Sequence, residues 1–192
     1  MISKKLNCIY IHIPKTAGMS IESILGEDVK RLHQQSIKIK HGTPKEWKYP
    51  KYWEDYYTFT FVRNPWDRVV SSYLFNLKMS YNNSTQHDRE KIKEYGLNGF
   101  NQYVLNDLRK TKSRHFLPYT HWILGYEYDF IGKLENFKDD MKLVCKKLQI
   151  NFIDTHINKT KRENYRRYYN EESKNIIADI YRDDIKRFNY SF

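Results

Sequence analysis

Dense apolar runs alternate along the chain with amphipathic stretches. Leu6 to Ile13 carries Leu6, Cys8, Ile9, Tyr10, Ile11 and Ile13, enough for a mostly buried strand, and Pro14, lacking an amide hydrogen, ends its ladder. Gly18 permits a tight turn, after which Met19 to Leu25 reads as a short helix. Ser36 to Lys40 (SIKIK) alternates as a short strand, Thr43 to Tyr57 is rich in Trp and Tyr and helical in pieces, and Thr58 to Val62 (TFTFV) is a second buried strand. A helix then carries Val69, Val70, Tyr73, Leu74, Phe75 and Leu77. Residues 76–94 are polar with little apolar periodicity: a candidate mobile insertion, or more plainly a solvated loop with one helical turn. Phe100, Val104 and Leu108 predict a helix over Asn98 to Leu108. Asn136 is placed to cap a helix whose stripe is Phe137, Met141, Val144 and Leu148, and Ile176, Ile177, Ile180 and Tyr181 predict another over Glu171 to Phe188. Strands alternating with helices imply an α/β fold with a parallel sheet covered on both faces and ligands at the carboxyl ends of its strands.

At 192 residues the chain is expected to form one domain, 1–192, large enough for a core around such a sheet. Its 34 Lys plus Arg against 23 Asp plus Glu, a net charge of +11, attract polyanions in general. The joint richness in Lys, Asn, Ile and Tyr matches what coding-DNA base composition produces unaided, so placed charges weigh more than the total. Cys8 and Cys145 are the only cysteines and stand in no CxxC or Cys/His pattern, so neither a disulfide framework nor a metal site is implied. No run approaches the ~20 apolar residues that span a bilayer, and no signal-peptide core precedes the first strand; the expectation is a cytoplasmic protein without stable membrane insertion.

The first strand runs into its helix through Pro14, Lys15, Thr16, Ala17, Gly18, Met19 and Ser20. An anion placed there meets the helix's first amides, the positive helix end, the Lys15 ammonium and the hydroxyls of Thr16 and Ser20. At the end of the TFTFV strand stands Arg63, and eight residues on, two turns into the following helix, Ser71; a planar charged fork and a hydroxyl can converge on one phosphate. The chain has no G-x-x-x-x-G-K-[ST], so the glycine loop that wraps ATP or GTP phosphates is missing.

IHIPKTAGMS and FVRNPWDRVVSSY together resemble the two signature loops of 3'-phosphoadenosine 5'-phosphosulfate (PAPS)-dependent sulfotransferases, in the carbohydrate-acting branch (heparan/chondroitin type) whose first loop reads IPKT-small-G. Ser113 to Pro118, Tyr128 to Asn136, His156 to Thr160 and Asp183 to Tyr190 are similar to later segments of that family, so the likeness runs through nearly the whole chain. One departure is Tyr119, where relatives often carry glutamine. The resemblance implies a single-domain, three-layer P-loop-like fold with a central parallel sheet flanked by helices. It implies PAPS as cosubstrate, PAP (3'-phosphoadenosine 5'-phosphate) as product, a glycan acceptor, and no metal or nucleic-acid partner. Lys15 would meet the leaving oxygen, Thr16 and Ser20 the 5'-phosphate, and Arg63 and Ser71 the 3'-phosphate. Lys159 and Thr160 fall in the family's variable loop over the nucleotide.

A base for the acceptor hydroxyl is the remaining requirement, and the chain offers seven histidines. His41, in Lys40-His41-Gly42-Thr43 between the two loops, resembles the family's base; its near-neutral pKa suits the task, and a turn residue bonded to backbone is the plainer reading. His115 is the second choice and an acceptor-side candidate. His12 reads as a structural histidine of the first strand that could also point into the site, and Trp66 and Tyr165 to Tyr169 as packing residues or stacking faces. Two other classes stay open: a kinase-like nucleotide-binding protein, and a basic polyanion-binding module. Acceptor identity and oligomeric state are not encoded in any readable motif.

Overall fold

The computed structural model describes residues 1–26, 41–78, 86–154 and 162–192. The predicted strand at Ser36 to Lys40, Lys159 and Thr160 lie outside these. Among the described residues are strands β1 (Ile2–Ser3), β2 (Cys8–Ile11), β3 (Tyr57–Val62) and β4 (Phe130–Lys133). The α-helices are α1 (Gly18–Leu25), α2 (Pro65–Lys78), α3 (Gln86–Tyr95), α4 (Phe100–Asn106), α5 (Thr120–Ile123), α6 (Phe137–Lys147), α7 (Glu171–Ile180) and α8 (Arg182–Phe188). The mixed α/β class expected from the alternation is therefore observed. The chain divides into two compact units, Met1–Arg63 with His121–Thr160, and Asn64–Thr120 with Lys161–Phe192.

The first unit holds the sheet, in the order β1-β2-β3-β4. β2 and β3 pair in parallel from Cys8↔Tyr57 to Ile11↔Thr60, and β3 and β4 from Phe59↔Phe130 to Val62↔Lys133. β1 was not foreseen and runs antiparallel to β2, so the sheet is mostly rather than wholly parallel. The predicted strand 6–13 shrinks to Cys8–Ile11 because Asn7 takes a left-handed φ of 46° and the Ile13 amide turns back to Ile11 O at 3.2 Å. Alternation sends Cys8, Tyr10, Phe59 and Phe61 to one face, where Ile21, Ile24 and Leu25 of α1 and Met141, Val144 and Cys145 of α6 bury them. Ile9, Ile11 and Val62 on the other face are equally buried. The buried threonines keep their hydroxyls paired: Thr60 Oγ1 donates to Ile11 O at 2.7 Å, and Thr58 Oγ1 and N donate to Asp129 Oδ2 at 2.9 and 2.7 Å. Gly132 leaves room for the Phe61 ring, which a methyl there would meet at 2.5 Å. Asn136 does occupy the position before α6, but its side chain makes no cap bond; Asp140 Oδ2 instead accepts the Lys133 amide at 2.6 Å.

The second unit is helical. Pro65 opens α2, where its missing N–H costs nothing, and Asn64 Oδ1 accepts the Trp66 amide at 3.1 Å. Trp66, Val69, Val70, Tyr73 and Leu74 of α2 pack with Phe100, Tyr103 and Val104 of α4 and with Ile177 and Tyr181. Within the candidate insertion 76–94, α2 continues to Lys78 and 86–95 is helix rather than loop. Ile92 is its buried apolar anchor, too sparse a signal to show as periodicity. The predicted helix 171–188 is two helices broken at Tyr181, and α7 begins with a reciprocal Asn170/Ser173 capping box.

Candidate active site

The carboxyl ends of β2 and β3 lie side by side because the two strands are parallel neighbours. From β2 the chain passes through buried His12, Ile13 and Pro14 into a loop in which Lys15 and Ala17 both adopt left-handed backbone, φ 68° and 65°. Side chains with a Cβ rarely tolerate that conformation, and two within three residues mark a loop held in a strained coil. Thr16 fastens the coil: its side chain is wholly buried and its hydroxyl, expected to face the anion, donates to Ile13 O at 2.9 Å. Ala17 offers no side-chain acceptor to the first amides of α1. Ser20 is buried in the first turn of α1, Met19 is exposed beside it, and Lys15 is half-buried. Arg63, half-buried just past β3, donates from Nη1 to Lys15 O at 3.2 Å, so the two loops singled out in the sequence meet.

Behind this loop stands a buried polar cluster that the sequence did not foretell. His12 Nδ1 lies 2.6 Å from Glu22 Oε1, with both side chains about 5% exposed. Gly18 proves necessary for this ring rather than for a positive φ, because a methyl there would lie 1.9 Å from His12 Nε2. The His12 ring stacks on Tyr10 at 5.8 Å and meets the His41 ring edge-on at 4.5 Å and 89°. Burial, with the Glu22 charge adding to it, pushes the Tyr10 hydroxyl well above its usual range, so it stays a neutral phenol.

His41 is held at two points. Its Nδ1 lies 3.2 Å from His12 O, and since a carbonyl can only accept, Nδ1 carries the hydrogen and the neutral ring's lone pair is on Nε2. Its own carbonyl accepts the Trp122 indole N–H at 2.8 Å, and Trp122 is fully buried. Three residues thus escaped sequence reasoning: Glu22, Trp122 and, as a neighbour of His41, His12. The one signal for Glu22 was an acid among the apolar residues Ile21, Ile24 and Leu25 of a short helix.

The remaining candidates belong to the second unit. Ser71 is half-buried on α2. His115 is half-buried, its ring 5.2 Å from Phe75. The Asn76 amide nitrogen donates to Ser72 O at 2.8 Å and lies 3.4 Å from His115 Nδ1, which makes Nδ1 the acceptor and places the neutral ring's hydrogen on Nε2, the reverse of His41. Trp66 is buried with its N–H on Lys174 O at 3.0 Å and offers no stacking face. Tyr119, at the departure from the family pattern, is a core residue: Arg68 stacks on its ring at 4.6 Å and Asp184 accepts its amide at 2.7 Å. Among the described residues, no His/Cys/Asp/Glu group is arranged to hold a metal and no helix is long and apolar enough to cross a membrane.

Comparison with known proteins extends this picture beyond the loops. No solved structure matches the chain. An uncharacterized protein of Archaeoglobus fulgidus is 32% identical over 120 residues, which is 61% of this chain and 88% of that protein. The sulfotransferase family profile matches residues 1–191, taking in the strained Lys15 loop, Arg63 and the His41 cluster. The chain therefore belongs to the sulfotransferase family, and its chemistry is sulfuryl transfer.

Proposed function

We propose that the protein transfers the sulfuryl group of PAPS to a hydroxyl of a carbohydrate acceptor, with His41 as general base. The observation that carries this reading is the His41 tautomer: Nδ1–H on His12 O leaves Nε2 as the proton acceptor, on a residue whose neighbour His12 leads directly into the Lys15 loop. In the proposed step the acceptor oxygen bonds to sulfur while its proton passes to His41 Nε2, and the bond from sulfur to the bridging oxygen of the 5'-phosphate breaks. Charge then grows on that oxygen, where Lys15 neutralises it. Positioning and electrostatics supply most of the acceleration in such a transfer, as they do for phosphoryl groups.

The loop from Pro14 to Ser20 would cradle the 5' side through main-chain amides, the Lys15 ammonium and Ser20, with Thr16 contributing backbone because its hydroxyl is committed to Ile13. Arg63 and Ser71 would hold the 3'-phosphate, with Lys159 and Thr160 over the nucleotide, and His115 would belong to the acceptor side. In this reading 1–192 works as one catalytic domain. The test is transfer of labelled sulfate from PAPS across a panel of glycans, beside thermal-shift titrations with PAP and ATP. Label should reach at least one glycan, and PAP should raise the melting temperature far more than ATP, since only ligands of the folded state stabilise it. No transfer to any glycan, with equal shifts from the two nucleotides, would refute the reading.

A further inference from the structure

The buried pair Glu22–His12 has no place in the transfer step just described, yet both side chains are buried beside the Lys15 loop. Three geometric facts tie it to His41. The Glu22 carboxylate lies 2.6 Å from the His12 ring, that ring abuts the His41 imidazole with centroids 4.5 Å apart, and the main chain of the same residue supplies the carbonyl that receives His41 Nδ1–H. Gly18 and Tyr10 close the space around His12 on two further sides, at a would-be methyl distance of 1.9 Å and a stacking distance of 5.8 Å. The His12 ring is thus flanked by Glu22, Gly18 and Tyr10 and abuts His41.

We infer that Glu22 and His12 are positioning residues for the base: Glu22 locks His12, His12 locks the tautomer and ring plane of His41, and the buried carboxylate steadies the imidazolium that His41 becomes on taking the acceptor proton. This inference rests on the sulfotransferase reading of the site. An active-site imidazole whose second nitrogen is engaged keeps one tautomer and gains basicity, and here that engagement is backed by a carboxylate one residue removed. Among the described residues, titratable and charged groups border the cluster from several elements. Cys8 and Tyr10 face it from β2, and burial pushes the Cys8 thiol up to about 12 and the Tyr10 hydroxyl well above its usual range. The Met1 amino group, which also feels Glu22, is pushed down to about 5 by burial. Lys15 and Arg63 stand in the adjoining loops.

The test combines long-range proton–nitrogen NMR of the side-chain imidazoles with the pH dependence of transfer. In the wild-type protein His12 and His41 should both carry their neutral-state hydrogen on Nδ1. In Glu22→Gln the His41 titration should move to lower pH by about half a unit to one unit, because a nearby negative charge favours the protonated ring. The rising limb of kcat against pH should move with it, and kcat should fall on the order of tenfold with the KM for PAPS less affected. Glu22→Asp, which keeps the charge, should restore the limb. A wild-type His41 with its hydrogen on Nε2, or an unmoved His41 titration in a folded Glu22→Gln, would overturn the inference. If Glu22→Gln does not fold, the wild-type tautomers and Glu22→Asp decide it. Wild-type protein that shows the coupling but moves no sulfuryl group would fail the proposed function instead.

Discussion

Gly18→Ala isolates the packing on which the site depends. A methyl at Gly18 would lie 1.9 Å from His12 Nε2, 2.2 Å from Cε1 and 2.3 Å from Cδ2. Non-bonded heavy atoms rest at about 3.5–4 Å, so the imidazole must withdraw by roughly 1.5 Å. That displacement stretches a 2.6 Å contact with Glu22 to about 4 Å, beyond hydrogen-bond reach, and leaves a buried carboxylate without its partner. Breaking a buried pair from one side costs about 3–5 kcal/mol, while alanine's helix preference over glycine returns at most about 1 kcal/mol. The net loss of about 2–4 kcal/mol corresponds, in a chain of this length, to a melting temperature lower by roughly 5–15 °C. Denaturant unfolding of Gly18→Ala, His12→Ala and the double variant forms the cycle that checks it. With the ring gone, Gly18→Ala should be neutral or slightly stabilising. The same loss in both backgrounds, or a loss below about 1 kcal/mol in the wild type, would refute the argument that Gly18 exists to admit His12.

Lys15→Ala should lower turnover on the order of 10²–10³-fold while leaving measurable PAP affinity, because its charge acts mainly on the transition state; titration calorimetry beside the transfer assay separates the two. Arg63→Ala should weaken PAP binding about 10–100-fold, and wild-type affinity in that variant would remove the 3'-phosphate assignment. His41→Ala should lose on the order of 10²–10⁴-fold in turnover together with the pH-dependent rise, whereas His115→Ala, whose Nδ1 accepts from Asn76, should keep that rise; the reverse pattern would transfer the base role. Burial raises the Asp184 carboxyl to about 6 from 3.8, with Arg68 and the Tyr119 amide opposing the shift. The folded state then binds the extra proton, so this group's stabilisation is full below the unfolded value and is lost as pH rises from about 4 to about 6. Asp184→Asn should flatten that fall, measured as the difference between its melting temperatures at pH 4.5 and 6.5 and those of the wild type; an identical slope would show that Asp184 does not titrate there.

Much of this protein was legible from local pattern. Continuous apolar runs bounded by Pro14 and by Arg63-Asn64-Pro65 report buried parallel strands, because a strand covered on both faces has no polar side to show. The lysine-bearing loop between β2 and α1 and the arginine after β3 were readable for the same reason: strand ends and helix starts leave their chemistry in consecutive residues. Failures came where local signals were weak or ambiguous. One buried Ile92 could not announce α3, Asn136 had the capping residue type but not the cap, and the break at Tyr181 fell inside an uninterrupted apolar stripe.

Residue order alone singled out Pro14 to Ser20 as a candidate anion loop and His41 as a candidate base. Their geometry was not legible in that order, because it depends on contacts between residues that only the folded chain brings together. Glu22 finds His12 across the loop, His41 finds the carbonyl of His12 from 29 positions away, and Trp122 anchors His41 from 81 positions away. A histidine's tautomer, and hence which nitrogen can take a proton, is decided by what its other nitrogen touches. No spacing rule encodes that contact; only the folded backbone brings a carbonyl to one histidine and a carboxylate to the other.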